Sequence, residues 1–147
     1  MESSTPTRVL IVAHKTAATP SLLEAVRSRA ERSPCVFTLL VPSAAHGLHR
    51  VVDPEDVGSD EARDVLEHAL PLLEDAAGGP VEGLVGAPAP LTAVMDAVNL
   101  RGYDEVIVST LPTHLSRWLR LDLPHKVGGL GLPVTTVVAK ERARTPA

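Results

Sequence analysis

Short, continuous apolar runs recur along this chain, and segments with helical periodicity separate them. The first run, RVLIVA at 8–13, is apolar almost throughout, which is typical of a strand buried on both faces of a sheet. Comparable runs occupy 35–42, 81–88, 104–110 and 133–139. Strands that alternate with helices predict βαβ units with right-handed crossovers. We therefore expect an α/β, Rossmann-like fold, a single open parallel five-stranded sheet with helices on both faces.

Helix signals lie between these runs. Thr19 and Ser59 are predicted as N-caps of the first two helices, each ahead of an apolar stripe. Pro90 begins a third helical segment, whose inward face is predicted to include Met95. A short fourth helix is predicted over 122–130, where an aspartate and a proline precede a group of glycines.

The 147 residues suit one domain with a sizeable core. We expect a disordered tail over 1–7, the domain over 8–140 and a frayed tail over 141–147. No run approaches the roughly 18 apolar residues that span a bilayer, and no signal-peptide core opens the chain. Acids cluster in 53–75 whereas a few cations cluster in 113–126, which argues against nucleic-acid coating. A cytoplasmic protein without nucleic-acid or membrane partners is expected.

Metal chemistry has weak support in the sequence. The predicted polar loop over 43–58 contains His46, His49 and Asp53, a spacing compatible with zinc. However, no cysteine or further histidine lies nearby in the sequence to complete a site. Cys35 is the single cysteine, so it forms no intramolecular disulfide. We predict no metal site.

Catalytic motifs are also missing. The segment after the first strand, AHKTAAT, has no glycine, and neither a dinucleotide fingerprint nor a P-loop occurs. His14, Ser109 and Asp122 are the residues from which a hydrolytic triad would have to be built, but no G-x-S-x-G motif accompanies them. We predict no catalytic residue and no enzymatic activity.

Ligand binding is instead predicted beyond the carboxyl ends of the strands, where parallel sheets bind small molecules. The segment after the fourth strand combines Arg117, Arg120 and His125 with Trp118. Trp118 is either a stacking platform for a base or a packing residue of its own loop. The cationic residues suit one small anion or form only a solvated surface.

The order of elements and the segment after the fourth strand resemble the universal stress protein family. The resemblance covers roughly residues 7–140, including VGAP at 85–88, DEVIVST at 104–110 and LPVTTVV at 132–138. Members of that family have five parallel strands in an open α/β sheet, and many bind ATP. The resemblance implies a stress-response module and a homodimer formed along the edge of the fifth strand, here 133–139.

The nucleotide signature of the family, G-x2-G-x9-G-[S/T], is matched here in spacing but not in residues. Its three glycines fall on Ser109, Pro112 and Asp122, its hydroxyl residue on Leu123, and the aspartate that ends the first strand on His14. Pro112 removes one amide donor. Asp122, as an N-cap, places a carboxylate where a phosphate would bind. We therefore expect no ATP cofactor, while another nucleotide stays open.

Two functions remain open at this point. The favoured one is a non-catalytic regulatory or stress-response module with a degenerate nucleotide cleft. The alternative is a small-ligand or nucleotide-binding protein of AMP, adenosine or other anion type, using the modified loop 109–126. The candidate ligand-binding residues are Ala13, His14, Val41, Gly86, Val108, Ser109, Thr110, Pro112, Arg117, Arg120, Asp122 and His125.

Overall fold

The computed structural model describes residues 6–13, 17–42, 54–86, 90–110, 129 and 131–138, with side chains at all of these except 54–60, 90–91 and 110. The strands are β1 (Thr7–Val12), β2 (Cys35–Pro42), β3 (Val81–Gly86), β4 (Glu105–Thr110) and β5 (Val134–Val138). The helices in this part of the chain are α1 (Pro20–Arg32), α2 (Pro54–Ala77) and α3 (Pro90–Arg101).

The five strands form one parallel sheet in the order β3-β2-β1-β4-β5. The predicted α/β fold, with an open parallel sheet covered on both faces, is confirmed. The chain moves outward from β1 to β3 and then returns to the other side of β1 to form β4. The strand order therefore switches between β1 and β4, at the centre of the sheet.

One core layer lies between the sheet and helices α1 and α2. Phe37 of β2 is its largest fully buried side chain, and Val9 and Val81 flank it in register on the neighbouring strands. Leu22 of α1 and Leu73 of α2 close the layer from above, both with no exposed surface. Because aromatic residues are scarce in this chain, aliphatic side chains supply most of this layer.

The second core layer lies between the sheet and α3. Leu10, Leu40 and Val106 project into it from three adjacent strands, because alternate residues of a strand face opposite sides. Helix α3 contributes small side chains, including Ala93 and Ala97. Its backbone can therefore approach the sheet closely.

The start of α1 agrees with the predicted cap. Thr19 has extended backbone dihedrals, and its hydroxyl accepts a hydrogen bond from the Leu22 amide at 3.4 Å. Pro20 occupies the first helical turn, where its missing amide hydrogen costs nothing. These local signals were sufficient to place the start of the helix from the sequence.

The predicted start of α2 at Ser59 was wrong. The helix begins at Pro54, five residues earlier, and the predicted loop over 43–58 therefore ends at least five residues too late. Pro54 suits a first helical position, and the acids that follow it in the sequence favour the positive end of a helix dipole. Ser59 precedes the apolar stripe in the sequence, but a helix can begin more than one turn before its buried face.

The predicted inward orientation of Met95 was also wrong. Met95 is 40% exposed, whereas Ala93, Val94 and Ala97 of the same helix are buried. The buried stripe runs through Ala93, Val94 and Ala97, and Met95 lies outside it.

An ion pair fastens the carboxyl end of α1 to the start of β4. The Arg29 guanidinium donates two hydrogen bonds to the Glu105 carboxylate, at 2.9 and 3.0 Å, and a third to the Ser33 hydroxyl at 2.9 Å. The hydrogen bond to Glu105 raises the pKa of the guanidinium. Beside it, burial raises the pKa of the Cys35 thiol, which works against formation of the nucleophilic thiolate.

The amino ends of β1 and β4 are joined through Arg8. Its backbone amide donates to an Asp104 carboxylate oxygen at 2.8 Å, and its Nε donates to the Gly102 carbonyl at 2.9 Å. The guanidinium lies 5.4 Å from the centre of the Tyr103 ring, within cation–π range. This end of the sheet is therefore tied together by structural contacts.

Several further boundaries differ little from the predicted ones. Strand β1 begins at Thr7, one residue before the predicted start of the domain. The Thr7 amide donates a hydrogen bond to the Pro34 carbonyl at 3.0 Å. Strand β3 ends at Gly86 rather than at residue 88. The predicted helix over 122–130 falls outside the described residues apart from residue 129, which is in a turn. None of the described helices is long and apolar enough to cross a membrane.

Candidate functional site

The carboxyl ends of the strands are aligned in rows across the sheet. Val41 of β2 pairs with Val85 of β3, and Ser109 of β4 pairs with Val137 of β5. Ala13 directly follows β1 and donates its amide to the Leu40 carbonyl at 3.2 Å, which extends the β1–β2 pairing by one residue. The edge beyond this row is the candidate ligand-binding surface, since small molecules bind there in open α/β sheets.

The switch in strand order lies between Ala13 and Ser109. Val12 and Val108 are register partners, so the residues that follow them lie side by side at the edge. From this point the strand order runs in opposite directions, because β1 is followed along the chain by β2 on one side and β4 is followed by β5 on the other. A crevice that binds a ligand is expected beyond the ends of two such strands.

Three candidate residues are core residues with no exposed surface: Ala13, Val41 and Val108. Ala13 and Val41 pack in the layer under α1 and α2, whereas Val108 packs in the layer under α3. Successive positions on a strand face opposite sides, so these three side chains do not line one common wall. These side chains instead hold the ends of the strands in the two core layers.

The end of β4 carries the hydroxyl groups of this edge. Ser109 is 1% exposed and is one of two buried polar residues in the described part of the chain. Thr110 is the last residue of β4 and pairs with Val138, although the orientation of its side chain lies outside the description. The described end of β4 therefore carries a buried hydroxyl and no charged side chain.

Gly86 ends β3 and lies in register with Pro42, on the face covered by α3. A Cβ atom at this position would lie 2.7 Å from Ala93 Cβ and 2.9 Å from Leu40 Cδ1. Real Cβ atoms do not approach other heavy atoms so closely, so only glycine fits without a shift. Gly86 therefore brings the first turn of α3 directly against the carboxyl edge.

The charged and metal-ligating candidates from the sequence lie in segments that the structure does not describe. In the part of the chain that the structure describes, no group of three metal-ligating side chains forms a candidate metal site, and the proposed zinc ligands at 46, 49 and 53 are not in that part. Also outside the described residues are His14, Pro112, Arg117, Arg120, Asp122 and His125.

Solved structures with a similar architecture come from several organisms. A universal stress protein in complex with cAMP aligns with a TM-score of 0.57 and 16% identity, covering 93% of this chain and 99% of that chain. One from Archaeoglobus fulgidus in complex with dAMP gives 0.57 and 16%, covering 90% and 98%. A family member from Arabidopsis thaliana with AMP bound gives 0.56 and 16%, covering 92% and 94%. The fold is that of the universal stress proteins.

The likeness to universal stress proteins is one of fold, because sequence identity is low throughout. No family model matches the chain, and no curated protein sequence matches it. The resemblance seen in the sequence is therefore confirmed at the level of architecture, over nearly the whole length of the chain.

One residue of this universal stress protein-like edge was missed from the sequence. Ala93 was not singled out, although it is the residue against which Gly86 packs. The available signal was a glycine that ends a strand, followed by an alanine in the first turn of the next helix. Paired small residues of this kind indicate a close backbone approach.

Proposed function

We propose that this chain is a non-catalytic regulatory module of the universal stress protein type whose carboxyl edge binds an adenine nucleotide with a single phosphate. The observation that carries the proposal is that three solved structures with this fold hold cAMP, dAMP and AMP. The switch between β1 and β4 is where such a ligand is expected in this sheet.

The sequence favours one phosphate over three. Pro112 and Asp122 occupy positions where the family signature has glycine, so fewer backbone amides can approach a polyphosphate. A monophosphate needs fewer donors, and Arg117 and Arg120 in the same segment have the charge to bind it. The carboxylate of Asp122 would repel a triphosphate more strongly than a monophosphate, because the triphosphate carries more negative charge.

The proposed role is regulatory rather than catalytic. The described ends of β1 to β4 carry apolar side chains and hydroxyls, and these supply no general base for a hydrolytic step. A protein that binds a nucleotide without converting it can report the nucleotide concentration to a partner. We place this module in the cytoplasm, in a response to metabolic stress.

AMP is expected to raise the melting temperature of the protein, because a ligand that binds only the native state stabilises it. At about 100 times the Kd, the stabilisation is about 2.7 kcal/mol, which corresponds to about 5 to 10 °C for a domain of this size. ATP at equal concentration is expected to give a much smaller shift. Differential scanning fluorimetry over a concentration series of AMP, cAMP, adenosine and ATP measures this.

The second candidate is a module that works without any nucleotide, which the replaced glycine positions favour. No shift with any of the four ligands would support that candidate and refute the proposed binding. A shift with ATP as large as that with AMP would refute the preference for one phosphate. The variant Asp122→Gly serves as the internal comparison, since removing the carboxylate is expected to enlarge the ATP shift more than the AMP shift.

We also propose a homodimer formed through β5. Among the described strands, β5 is at one edge of the sheet and pairs with β4, so the hydrogen-bonding groups on its outer side face no other described strand. Thr135, Thr136 and Val138 are exposed, and Val134 and Val137 are half-buried. An edge that is β-branched and uncharged is suited to pairing with a second copy.

Val138→Lys is expected to convert the dimer to a monomer, because a charge on an edge strand opposes strand pairing. Size-exclusion chromatography with light scattering measures the mass directly. Val36→Lys is the matched control, since Val36 is 47% exposed but lies on the interior strand β2. A dimer that persists in Val138→Lys, or is lost equally in Val36→Lys, would contradict an interface at β5.

A further inference from the structure

We infer that the contact between Gly86 and Ala93 sets the position of α3 at the carboxyl edge of the sheet and thereby shapes the nucleotide site. This inference rests on the proposed function and assigns to Gly86 a positioning role, acting through α3 rather than by touching the ligand. The inference rests on the crowding around Gly86, on the rigidity of Ala93 and on the short connection between Gly86 and α3.

The amino end of α3 must lie at the carboxyl edge. Gly86 is the last residue of β3 and Pro90 the first of α3, so only 87–89 connect them. Adjacent strands lie about 4.8 Å apart, which places the end of β3 about 10 Å from that of β1. A base that extends from the β1–β4 switch across the end of β2 would therefore meet the first turn of α3.

The neighbour of Gly86 cannot move alone. Ala93 is 1% exposed, and its Cβ has no torsion of its own that could carry it away from an added atom. A Cβ at Gly86 would lie 2.7 Å from Ala93 Cβ and 3.6 Å from Ala93 Cα. The other close atom, Leu40 Cδ1 at 2.9 Å, is at the end of a side chain and can turn aside. Relief at position 86 therefore requires α3 and the end of β3 to move apart, which changes the position of α3 at the carboxyl edge.

Gly83, on the same strand, provides a contrast. A Cβ there would lie 2.9 Å from Leu66 Cδ2 and 3.0 Å from Leu70 Cδ1. Both are the far ends of flexible leucine side chains on α2, on the other face of the sheet. A methyl group added at Gly83 is expected to strain the core without displacing α3. Comparing substitutions at Gly83 and Gly86 therefore distinguishes a loss of stability from a displacement of the helix.

Gly86→Ala is expected to raise the Kd for AMP about tenfold, the equivalent of 1.4 kcal/mol. Gly83→Ala is expected to lower the melting temperature while leaving that Kd within about twofold of wild type, a change well under 1.4 kcal/mol. The double variant Gly86→Ala/Ala93→Gly removes the closest contact and is expected to restore the Kd. Isothermal titration calorimetry with AMP, on proteins shown to be folded by circular dichroism, measures all three.

Each outcome bears on the inference. An unchanged Kd in Gly86→Ala overturns it, as does an equal rise in Gly83→Ala, which would indicate general destabilisation. If Gly86→Ala does not fold, the double variant decides: wild-type affinity supports the inference, whereas a folded double variant with tenfold weaker binding overturns it. Absence of AMP binding by the wild-type protein would instead refute the proposed function itself.

Discussion

Replacing Phe37 by alanine is expected to lower the free energy of unfolding by about 3 to 5 kcal/mol, the usual range for truncating a buried aromatic residue. Phe37 is 1% exposed and is the largest fully buried side chain in the described part of the chain. It lies in β2, between Val9 and Val81 on the adjacent strands. The loss combines removed apolar contact with a cavity that the surrounding strands cannot close.

Urea denaturation followed by circular dichroism measures this loss. Because domains of this kind are stable by only about 5 to 15 kcal/mol, the variant is expected to lie close to its unfolding transition at physiological temperature. Val36→Ala is the control, since Val36 precedes Phe37 on the same strand but is 47% exposed. A loss for Phe37→Ala no greater than that for Val36→Ala would contradict the described packing of β2.

Replacing Arg29 by alanine is expected to lower the free energy of unfolding by about 2 to 3 kcal/mol. The side chains of Arg29 and Glu105 are only 12% and 17% exposed, so the substitution leaves a carboxylate largely shielded from water without its partner. The Ser33 hydroxyl loses its donor as well. Because the pair joins α1 to β4, these elements are also held together less tightly.

A double-mutant cycle distinguishes the interaction energy of the Arg29–Glu105 pair from the cost of leaving one charge unpaired. Arg29→Met combined with Glu105→Met is expected to destabilise less than Arg29→Met alone, since no uncompensated carboxylate remains. Arg27→Ala is the control, because the Arg27–Glu24 pair at 3.8 Å is exposed at 48% and 70% and is expected to contribute little. Purely additive losses in the cycle would show that Arg29 and Glu105 do not interact.

The pattern of buried strands was readable from the sequence because each strand carries its own signal. The run at 8–13 is apolar on both faces, and β1 is buried on both faces because strands flank it on either side and helices cover both surfaces. Thr19 and Pro20 fixed the start of α1 through local chemistry that depends on no distant contact. The open sheet of five parallel strands also followed from the family resemblance, which the solved structures support at the level of fold.

The interior contacts, at the candidate site and away from it, were not readable from the sequence, because they depend on which residues meet across the sheet. Periodicity places Met95 inward, but the buried face of α3 runs through Ala93, Val94 and Ala97 instead. The pairing of Arg29 with Glu105 joins residues 76 positions apart, and no local pattern indicates it. The charged candidates after β4, such as Arg117, remain predictions from sequence alone.

The central position of β1 has a consequence for synthesis of the chain. On the side of β4, the partner of β1 is distant in sequence, since the Arg8 amide donates a hydrogen bond to Asp104, 96 residues later. During translation from the amino terminus, β1 can pair with β2 early, but its other edge stays open until β4 has left the ribosome. Contacts of such long sequence separation slow folding and expose apolar strand edges to other chains. Nascent chains that stall before β4 are therefore expected to depend most on chaperones.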